Sequence, residues 1–92
     1  MSYRVQWTNR FKKDYKLCES RGLDMTLIDK VIALLSETGN LPREYNDHSL
    51  TGEWRGFREC HIKPDWLMIY AINNGVLTLT LSRTGSHSDL FQ

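Results

Sequence analysis

Three histidines, His48, His61 and His87, fall in the carboxyl-terminal half of this 92-residue chain. An unperturbed imidazole titrates at about pH 6.5, so it can serve as acid or base at neutral pH. One chemistry that suits such a set is metal-free cleavage of RNA. It needs a base for the 2′-hydroxyl proton, an acid for the leaving 5′-oxygen, and cations to match the charge of a phosphorane-like transition state. The histidines supply proton transfer, Arg83 with Arg55 or Arg58 supplies charge, and Trp66 and Phe91 could stack on bases. Asp65, next to Pro64, could orient an imidazole or donate a proton. Taken singly, each residue has a plainer use: a hydrogen-bonded surface histidine, a turn aspartate, a core tryptophan.

Other chemistries find less support. The histidines and the two cysteines, Cys18 and Cys60, match no usual zinc-ligand spacing, and Cys60 and His61, adjacent on one strand, must point to opposite faces. No metal or other cofactor is therefore expected. Neither a glycine-rich phosphate loop nor a dinucleotide fingerprint nor a GxSxG elbow is present. The cysteines read as small buried hydrophobes of a reducing compartment.

These residues need a scaffold. Ser2 to Trp7 alternates as a strand with Tyr3, Val5 and Trp7 on one side. Thr8 or Asn9 can cap a helix whose apolar stripe is Phe11, Tyr15 and Cys18, broadened by Leu17 and ended by Gly22. Asp24 can cap a second helix with Leu27, Ile28, Val31, Leu34 and Leu35 inward, ended by Gly39. Asn40 to Gly52 reads as an irregular loop that contains His48. A strand from Trp54 to Ile62 would put Trp54, Arg58, Cys60 and Ile62 on one face. Arg55, Phe57, Glu59 and His61 would share the other, wetter face. Pro64 and Asp65 form a turn.

Trp66 to Ile72 is apolar throughout, as befits a central strand covered on both sides. Asn73, Asn74 and Gly75 suggest a tight hairpin with positive dihedrals, followed by an antiparallel strand from Val76 to Arg83 with Leu77, Leu79 and Leu81 inward. Thr84 and Gly85 should break that strand. Ser86 and Asp89 have capping-box spacing, so His87 to Phe91 should form one short helical turn. The pattern predicts a single α+β domain over 1–92, a helix hairpin packed on a mainly antiparallel twisted sheet, with Leu27, Val31, Leu34, Leu77, Leu79 and Leu81 mostly buried.

The formal charge is only +1, yet Met1 to Arg21 carries six basic and two acidic residues. That tilt suits a polyanionic partner, and equally an ordinary solvated helix face. No run is long enough to cross a membrane and the start lacks signal-peptide character, so a cytoplasmic location is expected.

Two segments, HSLTGEWRGFRECHIKPDWLMIY and LSRTGSHSDLF, resemble the YafQ-type branch of the RelE superfamily, toxins of bacterial toxin–antitoxin pairs. The likeness extends over nearly the whole chain and implies a RelE-like fold. It further implies a ribosome-dependent messenger-RNA endonuclease that cuts codons in the decoding site of the 70S ribosome, touching ribosomal RNA. A cognate antitoxin would neutralise it and supply any link to DNA. The branch's active positions correspond to His48, His61, Asp65, Trp66, His87 and Phe91, and the superfamily's arginine to Arg83. The carboxyl-terminal tyrosine of the RelE branch proper is replaced by a histidine and Phe91. The roles expected are His48 as base, His87 as acid with Asp65 as partner or competitor, His61 and Arg83 on the phosphate, and Trp66 and Phe91 on bases. The competing expectation is a binding module of the same fold that does not cut.

Overall fold

The computed structural model describes residues 2–91; Met1 and Gln92, counted in the domain expected over 1–92, lie outside the described residues. Five strands form one sheet: β1 (Arg4–Trp7), β2 (His48–Ser49), β3 (Arg58–Lys63), β4 (Trp66–Asn73) and β5 (Thr78–Gly85), in spatial order β1-β5-β4-β3-β2. Every neighbouring pair is antiparallel except β1 with β5, which is parallel. Helices α1 (Asn9–Ser20) and α2 (Met25–Thr38) supply the layer on one face, and α3 (His87–Phe91) follows β5. The fold is α+β, with the helix hairpin and short terminal helix that the sequence pattern suggests.

The continuous apolar character of β4 has a direct cause, because both of its faces are covered. Trp66, Met68 and Tyr70 join Phe11, Ile28, Val31, Leu35, Leu79 and Leu81 in the core beneath the helices. Leu67 and Ile69 point the other way and form a second cluster with Leu90, flanked by Leu50, Trp54 and Phe57. The helices start and stop as their caps dictate. Thr8 Oγ1 accepts from the Phe11 N–H (3.1 Å) and donates to the Leu81 carbonyl (2.8 Å), tying the start of α1 to β5. Asp24 caps α2, and Gly39 ends it in the left-handed region (φ 76°). A side chain at Gly39 would also collide with Tyr3, whose hydroxyl lies 2.7 Å and ring 3.0 Å from the position of a Cβ.

Several expectations need correction. The third strand begins at Arg58 rather than Trp54, because Gly52 and Gly56 take positive φ and fold Trp54 edge-on against Phe57 (5.3 Å). The stretch taken as an irregular loop contains β2. The hairpin after β4 is a four-residue loop, with Asn73 paired to Thr78. Asn73 Oδ1 accepts from the Gly75 and Val76 N–H groups, and the positive φ falls on Leu77 (47°) instead of the Asn-Asn-Gly run. Leu77 is therefore a half-buried loop residue, not a strand residue facing the core. Leu27 and Leu34 are also only half-buried, Leu17 is exposed, and β5 runs on through Thr84 and Gly85. Trp7 leans on Phe11 and Tyr15 with one edge in solvent.

One irregularity matters for function. Ile69 pairs with Arg83 while Tyr70 pairs with Leu81, so Ser82 is an extra residue in β5. Without it Arg83 would share the parity of Leu79 and Leu81 and point into the helix-covered core. The bulge moves it to the other face.

Candidate functional site

Strand register assembles the site. His48 lies opposite Glu59, Glu59 opposite Ile69, and Ile69 opposite Arg83, so one rung crosses four strands. Residues directly opposed in a sheet emerge on the same face. His61, two residues beyond Glu59, shares that face and lies opposite Leu67, which in turn lies opposite Gly85.

Glu59 is buried, at 6 % exposure, and faces two imidazoles. Its Oε1 is 3.2 Å from His48 Nε2 and 3.8 Å from His61 Nε2. The other ring nitrogens are engaged too: His48 Nδ1 lies 2.8 Å from the Asn46 carbonyl oxygen and His61 Nδ1 3.3 Å from that of Pro64. A carbonyl only accepts, so each Nδ1 carries a proton and each Nε2 is turned toward the carboxylate. The 3.2 Å contact makes His48 and Glu59 one hydrogen-bonded unit.

A second network holds the segment that delivers His48. Asp47 accepts from the Tyr70 hydroxyl and from Arg58 Nε and Nη2 (3.3 and 3.1 Å), while Arg58 Nη1 donates to Ser49 Oγ (2.8 Å). Burial, reinforced by the bond to Asp47, pushes the Tyr70 phenol far above its ordinary pKa, so it stays a neutral donor. Arg58 is scaffold rather than a free substrate cation, a correction to the sequence reading. Arg55 is exposed.

The remaining expected residues sit in a second group. Asp65 Oδ1 accepts from the His87 backbone N–H (3.0 Å), fastening the start of α3 to the turn that follows the His61 strand. The His87 ring is exposed and lies 5.0 Å from that of Phe91. The capping box is present in both directions: the Ser86 N–H donates to Asp89 (2.9 Å) and the Asp89 N–H to Ser86 Oγ (3.2 Å). Arg21, which caps the end of α1, also reaches Asp89 at 2.7 Å.

Two residues are not where their expected roles would put them. The Arg83 Nε donates to Asp14 of α1 (2.7 Å), which also accepts from the Thr84 N–H (3.2 Å) on the edge of β5 beyond the end of β1. The guanidinium therefore leans away from the histidine strands. Trp66 is 3 % exposed and gives its Nε1–H to Thr84 Oγ1 (3.0 Å), so it is core and cannot stack on a base as expected.

Sequence reasoning missed Glu59, Asp14 and Asp47. For Glu59 the signal was present, since it and His61 share strand parity on the wetter face. Ligand spacing among histidines and cysteines alone leaves this carboxylate out. Among the described residues, His48, Glu59 and His61 can each present one ligating atom within 4.8 Å of the others. Cys60, on the opposite face, contributes nothing, and burial pushes its thiol well up. A hollow of about 510 Å³ is lined by Tyr3, Asn40, Asp47, Ser49, Arg58 and Asn74 among others, but by none of the histidines. His61 borders a second hollow of about 280 Å³ with Tyr45, Asn46 and Lys63, His48 stands on the open sheet face and His87 on α3, an exposed arrangement that suits a macromolecular substrate better than an enclosed small one.

Comparison with known proteins gives this geometry a context. Residues 3–92 match the family described as bacterial toxin of type II toxin–antitoxin system, YafQ. The mRNA interferase toxin YafQ of Escherichia coli K12 is 38 % identical over 88 residues, 95 % of this chain and 94 % of that protein. The toxin in the E. coli DinJ–YafQ toxin–antitoxin complex superimposes with a TM-score of 0.90 at 34 % identity, each chain covered in full. A metal-bound toxin from Helicobacter pylori is similar at a TM-score of 0.88 and 42 % identity, over 99 % of this chain and 100 % of that one.

Proposed function

The chain belongs to the YafQ family of type II toxins, and we propose that it is an endoribonuclease that cuts messenger RNA in the ribosomal decoding site by acid–base chemistry. The observation that carries this reading is the pairing of His48 and His61 on one buried carboxylate, with His87 tied by Asp65 to the turn after the His61 strand.

The His48–Glu59 unit takes the proton of the 2′-hydroxyl and the 2′-oxygen bonds to phosphorus. The bond to the 5′-oxygen then breaks, and His87 protonates the departing oxygen. The products are a 2′,3′-cyclic phosphate, or its opened 3′-phosphate, and a 5′-hydroxyl. His61 holds the phosphate, and Arg83, paired with Asp14 and turned from the histidine strands, adds positive charge at a distance rather than a direct contact. Phe91, exposed beside His87, packs on a base. Asp65 works by fixing the first turn of α3, which sets the position of His87.

A protein antitoxin is the partner, as DinJ is for E. coli YafQ. The exposed Arg10, Lys12, Lys13 and Lys16 of α1 offer a basic surface for ribosomal RNA, and a cytoplasmic location follows from that substrate. Among the described residues no helix is long and apolar enough to cross a membrane.

The test is to add purified protein to ribosomes programmed with a defined message and map the RNA ends. Cuts confined to ribosome-bound message, with 5′-hydroxyl ends, are expected. Cleavage that requires added divalent metal, or that is equally fast on free message, would remove the corresponding part of the reading.

A further inference from the structure

We propose that Arg21 is a positioning residue for His87: by gripping Asp89 it fixes the orientation of α3 and so aims the imidazole that protonates the leaving oxygen. The catalytic half rests on the function proposed above; the mechanical half stands on contacts within the chain.

α3 cannot place itself. Its five residues are fewer than the roughly 12 to 15 at which an isolated helix becomes even marginal, so contacts with the rest of the chain must hold it. The capping box does not, because Ser86 and Asp89 belong to the same turn. Two attachments come from the sheet: Asp65 accepts from the His87 N–H (3.0 Å), and Leu90 is buried beside Leu67 and Ile69. A body held at two points can still roll about the line that joins them. Such a roll carries the His87 and Phe91 rings, 5.0 Å apart on one side of the turn, out of position together. Arg21 supplies the third attachment, from the end of α1.

Three features suit it to that task. Arg21 Nη1 donates to Asp89 Oδ2 at 2.7 Å and Nη2 to Oδ1 at 3.4 Å, a two-pronged contact between planar groups that constrains angle as well as distance. The backbone behind it is anchored, since the Arg21 N–H donates to the Leu17 and Cys18 carbonyls (3.0 and 3.2 Å). The carboxylate has a built seat as well. The Ser86 N–H donates to Asp89 Oδ2 at 2.9 Å, and a Cβ at Gly85 would stand 2.9 Å from that same oxygen, so the glycine leaves the room this seat needs. The pair is open to solvent, with the Arg21 and Asp89 side chains 46 % and 25 % exposed, so it adds little to global stability. Its effect is on geometry. A catalytic group displaced by about 1 Å can lose about a hundredfold in rate.

The experiment compares the unaltered chain with Arg21→Gln, alone and combined with His87→Ala, in single-turnover cleavage of ribosome-bound message across a range of ribosome concentrations. Amide hydrogen exchange of the free proteins is followed by NMR. Arg21→Gln should lower the saturating cleavage rate by about tenfold or more, with the half-saturating ribosome concentration changed less than about twofold. In the His87→Ala background the same substitution should cost less than about a further twofold, because the residue it acts through is already gone. Exchange of the Leu90 N–H, bonded to the Ser86 carbonyl, should quicken by about tenfold while exchange in β4 and the thermal midpoint stay as they were. A saturating rate equal to that of the unaltered chain, an equal loss with and without His87, or unchanged exchange at Leu90 would each overturn the proposal. Exchange needs no RNA, so a chain whose α3 loosens in Arg21→Gln but that never cleaves would refute the nuclease reading and not the grip on α3.

Discussion

Glu59 determines what the imidazoles beside it can do. Converting it to glutamine keeps its size but replaces an acceptor by an amide that cannot hold a proton for His48. Single-turnover cleavage by Glu59→Gln should fall by about a hundredfold, the usual scale for loss of a positioned proton-transfer group. A wild-type rate would show that His48 acts without it. His87→Ala should lower the same rate by about a hundredfold or more while antitoxin and ribosome affinity stay within a few fold, because its ring touches Phe91 and holds no buried network together. Asp14→Ala tests the other half of the site. It strips Arg83 of its partner and leaves the Thr84 N–H unpaired, so it should cost about 3 kcal/mol in urea unfolding. The histidines and Asp65 were legible from residue type, whereas the other three carboxylates were not. Asp47 and Asp14 acquire their roles from partners 11 to 70 residues away, and no local pattern encodes those pairings; for Glu59 strand parity gives His61 but not His48 on the neighbouring strand.

The helix that carries His87 is only five residues long, so its ends govern it. Arg21, together with the Ser86 N–H, lowers the Asp89 carboxyl to about 2. A lowered native pKa stabilises the fold above the unfolded value of about 3.9 and loses that contribution as pH falls through about 2. Stability should therefore decline across that window, and Asp89→Asn should flatten the decline there; thermal unfolding of both proteins at a series of pH values would reveal it. At the other end of the molecule, Leu79→Ala should cost about 2 to 5 kcal/mol, since it empties a fully buried position of a small core. Elements with a period or a cap were readable: both long helices, β4, and the α3 capping box. Those without one were not. A two-residue strand such as β2 has no alternation to detect. The hairpin misled because Asn73 works through its side chain, so the left-handed residue is Leu77. The bulge at Ser82 is invisible until two strands are laid side by side.

The whole molecule divides its faces: helices and their core on one side of the sheet, the histidine rung on the other, and a basic edge along α1. If Arg10, Lys12, Lys13 and Lys16 meet ribosomal RNA, replacing three of them by glutamine should weaken ribosome binding and make it less sensitive to salt, with thermal stability unchanged. An unaltered salt slope in a sedimentation assay would place the contact elsewhere. The sheet order carries one more consequence. Arg4 of β1 pairs with Thr78 of β5, so a strand made early in synthesis waits for one made much later. A nascent chain that has exposed only its helices and the His48–His61 pair has no parallel partner for β1, no Asp14–Arg83 contact and no α3. Distant pairings of this kind close late in folding. On the proposed mechanism, a chain on the ribosome that makes it would remain catalytically incomplete until β5 and α3 emerge, which would delay the moment at which a new copy can poison its own producer.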